Sequence, residues 1–179
     1  MELDAEFIAF VNRRGDHHLR TAVLLTGDWH AAEDLVQAAL VKLYGAWPRL
    51  DTTDDPDAYL RRILVNTQRS WWRARWRRET PVERLPDPPP MADPGESLAV
   101  ADVVRHALAT LPPRQRTALV LRYFEDLPET QVAELMGCTT GSVKTHTHRG
   151  LRAMRALLPD LRLVREGVNE GLGSGREDR

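Results

Sequence analysis

Two stretches of the chain carry side chains able to do chemistry, and in both the chemistry is binding. The first, residues 69–78, reads Arg-Ser-Trp-Trp-Arg-Ala-Arg-Trp-Arg-Arg. Its guanidinium groups can neutralise phosphates and release the counterions condensed on them. Its three Trp offer faces on which unpaired bases stack, each worth roughly 1–3 kcal/mol. That combination suits a single strand or a junction better than duplex readout. A competing use is packing, and Trp72 or Trp76 is expected to lie against the first helix of the chain. The second stretch, residues 139–152, places Ser142, Thr145, His148, Arg149 and Arg152 on the outward side of a helix. Its apolar stripe is Val143, Leu151, Met154 and Leu158.

Covalent chemistry has no comparable candidate. There is no phosphate-binding glycine loop, dinucleotide fingerprint, His-Glu-x-x-His pair or nucleophile elbow. His17 and His18 are adjacent, and His146 and His148 are two apart; one metal ion on a helix needs donors three or four apart. Cys138 is the single cysteine, which excludes an internal disulfide and a cysteine zinc cluster. No catalytic residue, cofactor or metal is expected.

The elements that position the two stretches can be read from periodicity and punctuation. Val132, Leu135 and Met136 share one helix face, and Ala133 allows a close neighbour. Gly137 follows where a left-handed cap is wanted, and Thr139 can cap the next helix with its hydroxyl. Helix, tight turn and longer helix make a helix-turn-helix, whose second helix can enter a major groove. An ordinary helical hairpin would share this outline. The Arg/Trp run ends a helix from Asp57 to about Arg78, whose first half buries Tyr59, Leu60, Ile63, Leu64 and Thr67. Pro56 suits its first turn, and Asp54 or Asp55 its cap.

Upstream, residues 3–26 are helical in pattern, with a break expected near Gly15. Gly27 ends the segment and Asp28 caps a helix from His30 to Tyr44. Leu35, Val36, Ala39, Leu40 and Leu43 face a core there. The opposite face mixes Glu33, Asp34, Gln37, Val41 and Tyr44, a composition suited to docking a protein. Six prolines between Thr80 and Pro94 exclude helix and predict an extended spacer. Helix resumes over 97–110 with Leu98, Ala101, Val104, Ala107 and Leu108 along one stripe, and Pro113 opens the next. The expected fold is all-α: two small helical domains joined by a Pro-rich linker. Their bounds are 1–79 and 97–159, with linker 80–96 and a Gly-rich, charged tail 160–179 expected to be disordered.

The net charge of −1 conceals segregation. Residues 59–78 hold seven arginines and no acid; residues 139–158 hold four basic groups and no acid. Acidic stretches flank both, so two basic islands sit on an otherwise anion-repelling chain. The acidic start gives no signal peptide, and no apolar run approaches the ~20 residues that span a bilayer. A cytoplasmic protein is expected.

These motifs, in this order, resemble the extracytoplasmic-function (ECF) group of sigma-70 family sigma factors. Ala32-Glu33-Asp34-Leu35-Val36-Gln37 is similar to the family's polymerase-docking signature. Residues 59–67 with the Trp/Arg run resemble its promoter-melting and minus-10 segment. Residues 111–124 resemble the start of its fourth region, and residues 132–144 its minus-35 reader. The Ser70-Trp71-Trp72-Arg73 run is most similar to the actinobacterial SigE-type subgroup. The resemblance implies a dissociable initiation subunit that is not an enzyme. Its partners would be core RNA polymerase (clamp and flap), a minus-10 single strand and a minus-35 duplex. An anti-sigma factor could hold such a subunit inactive. Asp34, Leu35 and Gln37 would bind polymerase. Asn66, Arg69, Trp71, Arg73 and Arg75 would take the opened strand. Thr140, Ser142, Lys144, Thr145, His148 and Arg149 would hold the duplex. A stand-alone helix-turn-helix regulator is the principal alternative, and a helical adaptor or enzyme subunit is another. Two positions depart from the family pattern: Pro128, where a Ser or Thr cap is usual, and Gly150, where Ala is more common. The glycine should cost about 1 kcal/mol of helix propensity and soften the helix beyond Arg149.

Overall fold

The computed structural model describes residues 2–50, 55–78 and 96–158. The expected linker 80–96, save Glu96, and the expected tail 160–179 lie outside them. Among the described residues the fold is all-α. Helices α1 (Glu2–Thr26), α2 (Trp29–Ala46) and α3 (Pro56–Arg78) make a first unit. Helices α4 (Glu96–Thr110), α5 (Pro113–Leu119), α6 (Glu129–Met136) and α7 (Thr140–Leu157) make a second.

In the first unit Phe10, Ala22, Val23, Ala32, Leu35, Ala39, Leu43, Leu60 and Leu64 form one buried cluster. Against expectation, α1 runs unbroken through Gly15. The propensity cost of one glycine, about 1 kcal/mol, is small beside the packing of the whole helix on α2 and α3. Helix α1 ends at Gly27, whose φ of +82° is left-handed. Asp28 then caps α2, its carboxylate accepting from Ala31 N at 2.8 Å. Buried within this unit, His18 Nε2 lies 2.8 Å from Asp57 Oδ1, and Arg14 Nε donates to the same oxygen at 2.8 Å. Burial lowers the pKa of His18, against the pull of Asp57. Tyr59 stands 39% exposed and so leaves the buried stripe assigned to it.

The second unit is built on local stop and start signals. Pro113 opens α5, and a short π-helix over Val120–Phe124 follows it. Pro128 caps α6 without a side-chain hydrogen bond, and the helix starts at Glu129 regardless. Gly137 adopts φ +60°, ψ +49°, while Cys138 N donates to Ala133 O at 3.0 Å. This is the left-handed helix end that a Cβ would strain. Thr139 Oγ1 accepts from Ser142 N at 3.1 Å and starts α7. Ala101, expected in the stripe of α4, is exposed.

Helix α7 continues through Gly150, which is buried. A Cβ there would lie 3.0 Å from Leu119 Cδ1 and 3.1 Å from Leu119 Cγ. The softening expected from this glycine is absent because the residue serves close packing of α7 on α5. Gly150→Val should therefore destabilise the protein by about 1–3 kcal/mol, the usual cost of overpacking. Thermal unfolding measures it, and an unchanged melting temperature would refute the packing role.

Candidate nucleic-acid interface

The Arg/Trp run occupies the C-terminal half of α3, beyond the buried Leu60, Leu64, Val65 and Thr67. Asn66, Trp71 and Arg73 are exposed. Arg69 is half-buried, and its Nη1 donates to Met136 O at 2.9 Å. The Arg75 side chain lies outside the described residues, as does that of Trp76. Trp72 lines a cleft of about 320 Å³ with Val65, Arg69, Arg114, Met136 and Gly137, between α3 and the second unit.

On α7 the residues 144, 145, 148 and 149 follow at helical spacing, and Lys144, Thr145, His148 and Arg149 are all exposed. Thr140 opens the helix, exposed, and Ser142 is half-buried beside the cap. Thr145 Oγ1 donates to Gly141 O at 3.0 Å, and Lys144 Nζ lies 3.6 Å from Glu129 Oε2. Hydroxyls, an imidazole and cations on one side suit a mixture of base-edge and phosphate contacts. Burial, with Arg114 and Arg149 nearby, lowers the pKa of His146 on the flank of this helix.

The candidate docking face of α2 combines charged, amide and apolar side chains. Glu33, Asp34 and Gln37 are exposed, beside Val41 at 74% and Tyr44. Tyr44 OH donates to Asp4 Oδ1 at 2.7 Å, and Phe7 packs edge-on to both Tyr44 and Trp47. Leu35 is a correction: it is 0% exposed and belongs to the core, so it supports this face from beneath and presents nothing to a partner.

Sequence reasoning missed two polar residues that join the units. Arg116 is buried, and its guanidinium donates to five carbonyls: Leu25, Thr26, Leu108, Ala109 and Leu111. Burial lowers its pKa. Glu125 has a side chain only 1% exposed. Arg61 Nε donates to its Oε2 at 2.7 Å, Thr21 Oγ1 donates to its Oε1, and His17 Nε2 lies 3.1 Å from Oε1. Burial raises the pKa of this carboxyl, but the hydrogen bonds from Thr21 and Arg61 and the charges of Arg61 and His17 outweigh it, and the net direction is down. The only local sign of either residue is a charge beside an apolar run, which many solvated residues share.

Family models match both units. The model for sigma-70 region 2 covers residues 10–78, and that for sigma-70 region 4 covers residues 101–154. An RNA polymerase sigma-E factor of Streptomyces coelicolor is 40% identical over 150 residues, 84% of each chain. The ECF RNA polymerase sigma factor SigL of Mycobacterium tuberculosis is 31% identical, over 82% of this chain and 85% of its own. The chain belongs to the sigma-70 family of RNA polymerase sigma factors, in its ECF group. Its fold matches two solved structures of lower identity. RpoE of Bartonella quintana, crystallised with the anti-sigma factor NepR, superposes with a TM-score of 0.69 at 23% identity, covering 86% of this chain and 97% of that one. CnrH, in complex with the cytosolic domain of CnrY, gives 0.61 at 20%, covering 87% and 89%.

Proposed function

We propose that the protein is a dissociable subunit that recruits core RNA polymerase to promoters through two DNA contacts. Its function is promoter-directed transcription initiation, and its work is binding, with no covalent step. Residues 1–79 form the unit that docks on polymerase and handles the minus-10 element. Residues 97–159 form the unit that reads the minus-35 duplex, and residues 80–96 set the span between them. Asp34 and Gln37, with exposed Val41 and Tyr44, bind the polymerase clamp. Asn66, Arg69, Trp71, Arg73 and Arg75 hold the opened strand by stacking and phosphate contacts. Thr140, Ser142, Lys144, Thr145, His148 and Arg149 hold the duplex. The protein works in the cytoplasm, where an anti-sigma factor can bind it.

The observation that carries this reading is the pairing of two different binding faces on one chain. Exposed Trp71 and Arg73 on α3 suit a single strand, while the capped helix α7 suits a groove. Two tethered weak contacts multiply into one selective one when both engage the same DNA. Run-off transcription over a promoter library tests it. Specific starts are expected only with core polymerase and this protein together. No specific start, with tight duplex footprints from the protein alone, would replace the reading with a stand-alone regulator.

A further inference from the structure

One stripe of α3 lines the cleft that holds Trp72. Val65, Arg69, Trp72 and Arg73 follow at helical spacing, so they share one side of that helix. Arg114 of α5 and Met136 at the end of α6 stand across from them. The lining thus gathers three guanidinium groups and, among the described residues, no carboxylate. A second cleft, of about 370 Å³, sets Asp55 and Glu134 beside Arg61 and Arg62, so its charges cancel. Of the two, the first selects a charge class. Its walls are pinned, since Gln68 Nε2 donates to Leu25 O at 2.6 Å and Arg69 Nη1 to Met136 O at 2.9 Å. Arg69 Nε is buried and meets no acceptor among the described residues, so the protein leaves part of this guanidinium unused.

We propose that this cleft binds a free nucleoside di- or triphosphate, with the base on the Trp72 indole and the phosphates on Arg69, Arg73 and Arg114. The lining selects both halves of the ligand. Guanidinium groups grip phosphate oxygens through paired, charge-assisted hydrogen bonds. A bare anion would leave the indole, 38% exposed, uncovered; a flat ring stacks on it, and such stacking accepts any base. The volume of about 320 Å³ falls within the range of small-ligand pockets. Each unit supplies a wall, so the ligand and the joined arrangement favour each other. Arg69 and Arg73 also belong to the set assigned to the opened strand. Nucleotide and strand therefore exclude each other at these two groups; that consequence rests on the strand-capture reading above, and the site itself does not. Arg114 separates the two uses, because it is exposed on α5 and lies outside the strand-binding set.

Isothermal titration of the full chain with adenosine diphosphate (ADP) tests the site. One ADP per chain is expected, with a Kd below about 1 mM. Adenosine and pyrophosphate each carry half of the ligand and should bind at least about tenfold more weakly. Arg114→Ala should weaken ADP by about tenfold, the loss of one charged hydrogen-bonding group. The same variant should keep the wild-type affinity for a labelled, short single-stranded DNA of mixed sequence. Trp72→Leu retains an apolar side chain and should weaken ADP by about fivefold or more. Circular dichroism confirms that both variants keep their helices, and their different chemistry guards against one that fails to fold. Saturating ADP should displace the labelled strand from the wild-type protein. The proposal is overturned if ADP does not bind, if both variants keep wild-type affinity, or if pyrophosphate binds as tightly as ADP, which would make the cleft a plain anion patch. If Arg114→Ala weakens strand and ADP alike, the cleft seats a nucleotide of the DNA and the free-ligand proposal falls. ADP binding without strand displacement would overturn the competition. Run-off transcription by the wild-type protein, which needs neither variant, tests the strand-capture reading separately.

Discussion

Replacing Arg116 with Met should cost about 3–5 kcal/mol of stability, the range seen when one partner of a buried charged network is removed. Its guanidinium collects the last carbonyls of α1 and α4 together with Leu111 O. These carbonyls lie in the last turns of the two helices or just beyond, where the negative pole of the backbone dipoles favours a cation. No carboxylate figures among these hydrogen bonds; the charge is met by backbone dipoles. Methionine fills much of the volume and satisfies none of the carbonyls. Arg116→Lys should recover only part of the loss, since an ammonium cannot reach acceptors spread around a planar fork. All five Trp precede residue 80. Fluorescence therefore follows the first unit, while circular dichroism follows both. In a denaturant titration of the variant, the dichroism should fall before the fluorescence. A loss under about 1 kcal/mol would mean that water replaces the guanidinium at these carbonyls.

The second large effect is on transcription. Reversing Arg69, Arg73 and Arg75 to Glu should reduce open-complex formation by about a hundredfold or more. Losing three phosphate contacts at about 1 kcal/mol each accounts for most of that, and repulsion adds to it. The slope of log affinity against log salt for a single strand should become shallower by about 2. Binding to core polymerase should stay as in the wild type, because the proposed docking face lies on α2. Permanganate footprinting of the opened region and a pull-down with core polymerase measure the two effects. Normal opening by the triple variant would remove the Arg/Trp helix from the mechanism.

The parts of the fold readable from sequence were those fixed within a few residues. Gly137, Thr139 and Asp28 announce their caps because the partners of each lie within one turn. The periodic stripe of α2 was equally local, and it placed Leu35 in the core. The likeness of residues 32–37 to a docking signature had assigned the same residue a surface role, and the packing decides for the stripe. The break expected at Gly15 is absent, since a propensity penalty counts only when tertiary packing is too weak to exceed it. The softening expected at Gly150 is absent for a related reason: the role of this residue is set by Leu119, across the fold. Arg116 and Glu125 were beyond local reading. Their partners lie as far as 91 and 104 residues away, and nothing in a solvated charge differs by type from a buried one. The two candidate DNA faces were legible as compositions. That α3 and α6 abut, leaving Arg69 between them, was not.

The apolar part of the contact between the units has a thermal consequence. Leu25 and Val65 complete a cluster that otherwise belongs to the second unit, so parting the units hydrates side chains that are dry when joined. Hydrating apolar surface raises the heat capacity, and the free energy of such burial weakens on cooling. The ion pairs at Glu125 carry a different temperature dependence, because charged groups are more easily stripped of water when hot. Both contributions favour the joined arrangement as temperature rises. The strength of the contact between the units is thus tied to temperature through Leu25, Val65 and the Glu125 carboxylate.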